Sequence, residues 1–447
     1  MHHWIEGEEG LFMLHSNEKQ IMELLLRGSF GLEKESLRVD AHGFFAHTPD
    51  PFSRETHIVR DFCENQVEIN TPVVHSCQEA VDALEWYNRQ IIRTLQALPE
   101  PEYLWPFSNP PYIRSERDIP VAQYDGGEAA KTDYRNYLSD RYGRYKMTFS
   151  GIHFNYAFSE ELLRAEYALR GETDYSRFKN NFYVALAEQA AAYGWLMVAV
   201  TAASPLLDSS YAAKNQTGTD LFNGMATSRC SELGYWNSFT PVFDYSGIEG
   251  YADSILQYVQ DGLLKYPSEL YYPIRLKPKG AYDLETLKKE GADHIELRMI
   301  DLNPLEESGI HPRDVRFAQL FLVWLAAKPR EPLAVKEQVQ AVQNFKNAAR
   351  FDLKTVKIVV PNGEVYSVAT AAIRVLERME EFYRDFPEEI QDVLQFEKAK
   401  FLDPENRYAW KIRAQFSGGF VEKGMQLVRQ RQQNIQAERQ DSPALCV

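Results

Sequence analysis

The stretch GLEKESLRVD, residues 31–40, sets two glutamates two residues apart in a segment that reads as a β-strand. Side chains alternate along a strand, so Glu33 and Glu35 share one face, which Leu37 and Val39 continue, while Lys34, Ser36 and Arg38 point the other way. Like charges side by side repel. A solvated sheet edge would make the pair tolerable at no cost; a bound cation would make it tolerable and give it a use. Three further segments share the peculiarity. CENQVEINTP (63–72) alternates Glu64, Gln66, Glu68 and Asn70 against Val67 and Ile69. KMTFSGIHFNYAF (146–158) sets Ile152, Phe154, Tyr156 and Phe158 on one face and Gly151, His153 and Asn155 on the other. HIELRMIDLNP (294–304) groups His294, Glu296 and Arg298, with Ile295, Leu297 and Met299 opposite.

One such strand is ordinary, because half-solvated antiparallel strands alternate by default. Four together are not, since their polar faces carry carboxylate, imidazole, amide and guanidinium in place of the Lys, Thr and Ser of a wet sheet. Taking carboxylates out of water costs several kcal/mol each without compensation, and divalent cations that prefer oxygen ligands, Mg²⁺ or Mn²⁺, supply it directly. Metal held by carboxylates commonly serves phosphate chemistry. The chain has no GxxxxGK[ST], no GxGxxG and no kinase signature set, so any nucleotide phosphates must be held by metals and arginines and not by a glycine loop.

The elements that must position these faces belong to a chain of 447 residues with 13% aromatics and a formal net charge of −15. No basic stripe offers phosphate neutralisation, which argues against nucleic-acid binding. Cys63, Cys77, Cys230 and Cys446 show no CxxC or Cys/His ligand spacing, and none falls in a motif that positions a nucleophile; they read as reduced thiols. The N-terminus MHHWIEGEEG lacks the layout of a signal peptide. The longest apolar run, residues 190–207, is interrupted by small and hydroxyl residues and by Pro205, and reads as a buried core helix in preference to a membrane span. A cytoplasmic protein with no membrane partner is expected. Amphipathic helices are expected at 76–98, with Ser76 and Glu79 forming a capping box, at 177–203, 312–327 and 367–386, and over much of the tail after Gly419, whose last part is polar and expected to fray. SNPPY (108–112) and DGGEAA (125–130) read as loops.

GLEKESLRV, DFCENQVEINTP, SGIHFN, SRCSELGY, YPIRLK and IELRMIDLNP occur in the order found in bacterial glutamate–cysteine ligases. Over roughly residues 27–327 the chain resembles that family, including the ligase half of the bifunctional glutathione synthetases. The resemblance implies an α+β fold with a glutamine-synthetase-like, antiparallel, funnel-shaped sheet and helices on its outer face. With the pattern of helices and strands along the chain, it gives one large α+β unit: a catalytic domain over 1–375, with 376–447 as a helical C-terminal extension of the same unit. Carried over residue by residue, Glu33, Glu35, Glu68 and Glu296 match acidic metal ligands, and Asp61 another acidic position near the metals. His153 matches a histidine reaching the nucleotide phosphates or a metal, with Asn155 beside it on the cofactor side, and Arg298 an arginine aimed at the transferring phosphoryl group. Arg229, Tyr235, Tyr134 and Arg135 fall on substrate-binding positions, and Tyr271 near the cysteine substrate. The implied activity is ATP-dependent ligation of L-glutamate to L-cysteine with Mg²⁺ or Mn²⁺. The bifunctional relatives continue into an ATP-grasp domain not seen here, so glycine addition is expected to fall to a separate ligase acting on the product. Rivals are a γ-glutamyl ligase with another amine acceptor, a phosphotransferase on a related sheet, and a non-catalytic binding module.

Overall fold

The alternating segments form one antiparallel sheet in the computed structural model, which describes residues 12–212, 216–234 and 236–441. Its strands are β1 (Gly28–Val39), β2 (Ile58–Arg60), β3 (Gln66–Asn70), β4 (Tyr103–Leu104), β5 (Gly151–Phe158), β6 (Ile274–Lys277) and β7 (His294–Asp301). The order is β2–β3–β1–β5–β7–β6, with β4 paired to the end of β1. Register decides which polar side chains meet. Glu35 lies opposite Glu68, Glu33 opposite His153, and Glu296 between Asn155 on one side and Arg275 on the other. Between β5 and β7 the register slips by one residue after Leu297. Strict alternation therefore ends at Arg298, and Met299, expected on the apolar face, lines the same cavity as Arg298.

The other face is apolar. Leu32, Ile69, Phe154, Tyr156 and Leu297 are at most 1% exposed and belong to the main core. Helices cover that face, among them Cys77–Gln96, Tyr175–Tyr193 and Pro312–Ala327. The first begins at Ser76, whose hydroxyl accepts from the Glu79 N–H while the Glu79 carboxylate accepts from the Ser76 N–H. The third starts with proline in its first turn, where no intrahelical donor is lost. Burying each large apolar side chain in this layer contributes about 1.5–3 kcal/mol, which is what holds the helices to the sheet.

The helix expected over 177–203 is two helices, Tyr175–Tyr193 and Trp195–Thr201, bent by 58° at Gly194. A Cβ at Gly194 would lie 2.6 Å from the Phe345 ring, so the missing side chain is the space that ring occupies. Among the described residues no single helix is long and apolar enough to cross a membrane. DGGEAA is only partly a loop: a 3₁₀ turn at Gly126–Glu128 leads straight into the helix Ala129–Tyr142. The tail helix runs through Phe420–Asp441, further than its polarity suggests, because Val421, Met425 and Val428 enter a second apolar cluster around Trp105 and Phe107. Residues 442–447, with Cys446, lie outside the described residues. Position 375 falls inside the helix Val368–Phe382, and the buried Lys400 of the following helix pairs with Asp314 (3.0 Å) and Glu397 (2.7 Å).

Candidate active site

The polar face of the sheet forms one wall of a cavity of about 320 Å³. Its charged half is built by β1, β3, β5, β6 and β7. Glu33 accepts from His153 Nδ1 (3.0 Å), from Asn155 Nδ2 (3.1 Å) and from Lys277 Nζ (2.9 Å). Glu296, fully buried, accepts from Arg298 Nη1 (2.9 Å) and Lys277 Nζ (3.4 Å), with Arg275 Nη1 at 3.8 Å. Glu35 accepts the Gly151 N–H at 2.9 Å and lies 3.8 Å from His153 Nε2. Asp61, on the loop after β2, and Glu68, on β3, complete the acidic wall.

These carboxyls divide into two kinds. Burial and the Glu296 charge push Glu33 upward, but the His153 hydrogen bond and the Lys277 ammonium outweigh them and hold it down at about 2. Burial likewise works against Glu296, yet Arg298, Lys277 and Arg275 hold its carboxyl well below the usual range. Among the described residues no cation is hydrogen-bonded to Glu35 or Glu68. Burial and the Asp61 charge push Glu35 up to about 8 against the pull of Arg229 and Arg298. Glu68 keeps an edge on the cavity, yet its enclosure and the charges of Asp61, Glu33 and Glu35 push it well upward. Burial and Arg298 push His153 down to about 4, leaving a neutral imidazole near pH 7. Lys277 helps to keep Glu33 ionised, and burial does not stop Glu296 and Glu33 from raising the Lys277 pKa in return.

The other half of the cavity is aromatic and soft: Tyr134, Leu138, Met147, Trp236, Tyr271 and Phe345 line it, with Met299 and Cys230. The Cys230 thiol donates to the Met299 carbonyl at 3.2 Å, and burial and Asp301 push it up to about 12, so it is wall and not nucleophile. Between the halves lies Arg229, 6% exposed, its guanidinium laid against Gly151, where a Cβ would come within 2.2 Å of it. Asp301 fixes the turn that carries Arg229: it accepts from Thr227 Oγ1 (2.9 Å), Ser204 Oγ (2.7 Å) and the Ala203 N–H (2.9 Å).

The family described as glutamate–cysteine ligase matches residues 13–266 and 238–348. The chain belongs to that family. A glutathione biosynthesis bifunctional protein of Listeria innocua is 34% identical over 420 residues, spanning 90% of this chain and 54% of that protein. A glutamate–cysteine ligase of Clostridium acetobutylicum is 31% identical over 400 residues, spanning 78% and 81%. The chain thus spans about half the length of the bifunctional relatives it matches. Among solved structures, the bifunctional glutathione synthetase of Pasteurella multocida superposes with a TM-score of 0.81 at 27% identity, over 95% of this chain and 55% of that one. The Francisella tularensis glutamate–cysteine ligase in complex with AMP gives 0.82 at 22% identity, over 92% and 89%, and shares the fold.

Within this glutamate–cysteine ligase fold, Glu33, Glu35, Asp61, Glu68, His153, Glu296, Arg298, Arg229, Tyr134 and Tyr271 all line the one cavity. Asn155 reaches it through Glu33. Arg135, expected at a substrate position, is not in the wall. Its Nε donates to the Asp61 carbonyl (2.6 Å) and Nη1 to the Lys131 carbonyl (3.0 Å), and the guanidinium lies over the Tyr124 ring, so it braces the Asp61 loop. Tyr235 lies outside the described residues. Arg275 and Lys277 were not expected as site residues, although the alternation in YPIRLK puts both on one face of β6. Trp236 and Met147 carried no such signal; only the folded chain brings them to the wall.

Proposed function

We propose that the protein joins the γ-carboxylate of L-glutamate to the amine of L-cysteine, using ATP, through γ-glutamyl phosphate. The observation that carries this is the division of one cavity into a half crowded with carboxylates and cations and a half walled by aromatic and sulphur-bearing side chains. The first half suits phosphoryl transfer; the second suits a small amino acid with a short, soft side chain. On this reading the antiparallel sheet is the funnel of a glutamine-synthetase-like enzyme, and the γ-glutamylcysteine formed is the substrate for a glycine-adding ligase activity.

The donor set fits Mg²⁺ or Mn²⁺. Glu33, His153 and Glu296 each offer a ligand atom within 4.8 Å of the others. Glu35 and Glu68, pushed upward by burial and by neighbouring carboxylates, are the carboxyls a divalent cation would return to their ionised form. Glu33, Glu35, Glu68 and Glu296, with Asp61 and His153 beside them, would hold the ions, which when bound neutralise the nucleotide's phosphate oxygens.

A carboxylate cannot be attacked directly by an amine at useful rates, because oxide would have to leave. One γ-carboxylate oxygen of glutamate attacks the γ-phosphorus of ATP, the bond to the β-phosphate oxygen breaks, and ADP departs. Arg298, anchored by Glu296, meets the charge that spreads over the transferring oxygens. Lys277 and Arg275 lie on the same face and add to that field. Arg229, which lines the cavity beside Gly151, holds a substrate carboxylate by paired hydrogen bonds. The cysteine amine then attacks the acyl carbon, the nitrogen sheds its proton, and phosphate leaves. An amino-acid panel with ATP, read as ADP release, tests the reaction. Release that requires both glutamate and cysteine is expected. A stable phosphorylated acceptor would instead indicate a phosphotransferase, and faster turnover with another amine a different acceptor.

A further inference from the structure

Three of the stretches that make the aromatic side of the cavity are the helix Ala129–Tyr142, which carries Tyr134 and Leu138; the segment carrying Trp236; and residues 265–273, which carry Ser268 and Tyr271. Two polar side chains tie them together, and neither lines the cavity. The Glu269 carboxylate is fully buried, yet it is met on all sides. It accepts from Tyr142 Oη (2.7 Å), from Tyr137 Oη (3.2 Å) and from the Lys265 N–H (2.6 Å), and it pairs with Arg141 Nε (3.1 Å). Asn237 completes the knot. Its Nδ2 donates to the Glu269 carbonyl (3.0 Å) and to Tyr142 Oη (3.2 Å), and its Oδ1 accepts the Tyr271 N–H (2.8 Å). The Tyr142 ring in turn meets the Tyr271 ring edge-on at 5.4 Å.

A carboxylate taken wholly out of water is tolerated only where donors surround it, and once surrounded it fixes those donors in place. Here the donors come from two of the three stretches, and Asn237, next to Trp236, joins the third. The nucleotide phosphates and the γ-carboxylate need the cations and so occupy the charged half of the cavity. The attacking amine must then come to the acyl carbon from the aromatic side. We infer that Glu269 and Asn237 are positioning residues for the acceptor, setting the gap between Tyr271 and Trp236 through which a small amino acid delivers its amine, an inference that rests on the ligase reading above.

Hydroxylamine separates the acceptor pocket from the phosphoryl-transfer half. It traps γ-glutamyl phosphate as γ-glutamyl hydroxamate with release of phosphate, and it has no side chain for the pocket to hold. Glu269→Gln and Asn237→Ser should form hydroxamate from ATP and glutamate at rates within about twofold of the parent, while the KM for cysteine rises about tenfold, the loss expected when one well-placed contact goes. The KM values for ATP and glutamate should stay within about twofold. Parallel loss of hydroxamate and γ-glutamylcysteine, or no change in either, would overturn the positioning role. Should Glu269→Gln fail to fold, Asn237→Ser alone decides, because it removes only side-chain bonds from a half-buried turn. A parent protein that makes neither product would overturn the ligase reading instead.

Discussion

Arg298 and Arg229 stand in one cavity with different surroundings, and their differences set what each can do. Arg298 is committed to Glu296 at 2.9 Å on the charged half. Arg229 Nη1 makes a long bond to the Ile300 carbonyl at 3.4 Å, and its Nε meets no acceptor among the described residues. Arg298→Lys keeps the charge but loses the planar fork, so turnover should fall about 100-fold with little change in the amino-acid KM values. Arg229→Lys should chiefly raise the KM for one amino acid, about tenfold. Steady-state kinetics varying ATP, glutamate and cysteine separately checks both; a common profile, with ATP affinity lost in each, would contradict the division. Alternation alone made the placement of Glu33, Glu35, Glu68, His153, Glu296 and Arg298 on one face legible, because a strand has only two faces. Arg135 was not legible in that way. It sits on a helix the sequence did not announce, where Tyr134 and Leu138, four apart, share the cavity side and Arg135 is turned about 100° away, toward the Asp61 carbonyl.

Local sequence marks an element's ends better than its bends. The capping box at Ser76 and the proline at the start of Pro312–Ala327 are written in adjacent residues, and those helices lie where their signals put them. The bend at Gly194 is not, since a lone glycine is tolerated within a helix and the ring that needs its space, Phe345, belongs to the helix Val335–Ala348. The slip in β7 after Leu297 is equally silent, being set by pairing with β5. Gly194→Ala would put a methyl group 2.6 Å from both the Ala190 carbonyl oxygen and the Phe345 ring. It should therefore destabilise the protein by about 1–3 kcal/mol although alanine is the better helix former. Thermal or denaturant unfolding reads this directly, and equal or greater stability of the variant would show that Phe345 does not set the bend.

At the scale of the whole molecule, a chain of net charge −15 gathers Arg229, Arg275, Lys277 and Arg298 at one place and still leaves Glu35 and Glu68 short of counter-charge. Mg²⁺ should therefore stabilise the folded state, by about 2.7 kcal/mol at 100 times its Kd, and Glu68→Gln should lose most of that gain while keeping its own metal-free Tm. An unchanged Mg²⁺-dependent Tm shift in Glu68→Gln would remove Glu68 from the cation site. The helices after residue 382 are bound to the rest by buried charge as well as by apolar packing: Lys400, 1% exposed, stands between Asp314 and Glu397, and Tyr408 donates to the same Asp314 oxygen at 3.0 Å. Lys400→Met would leave two carboxyls without their cation and should cost about 3–5 kcal/mol in global unfolding, whereas a C-terminal extension that melts separately would show a second transition. Activation of glutamate as an acyl phosphate would leave an isotopic record in the phosphate released. Glutamate labelled with ¹⁸O in its γ-carboxylate, turned over with ATP and cysteine, tests it most directly: one labelled oxygen should appear in inorganic phosphate for each γ-glutamylcysteine formed, and unlabelled phosphate accompanying that product would contradict it.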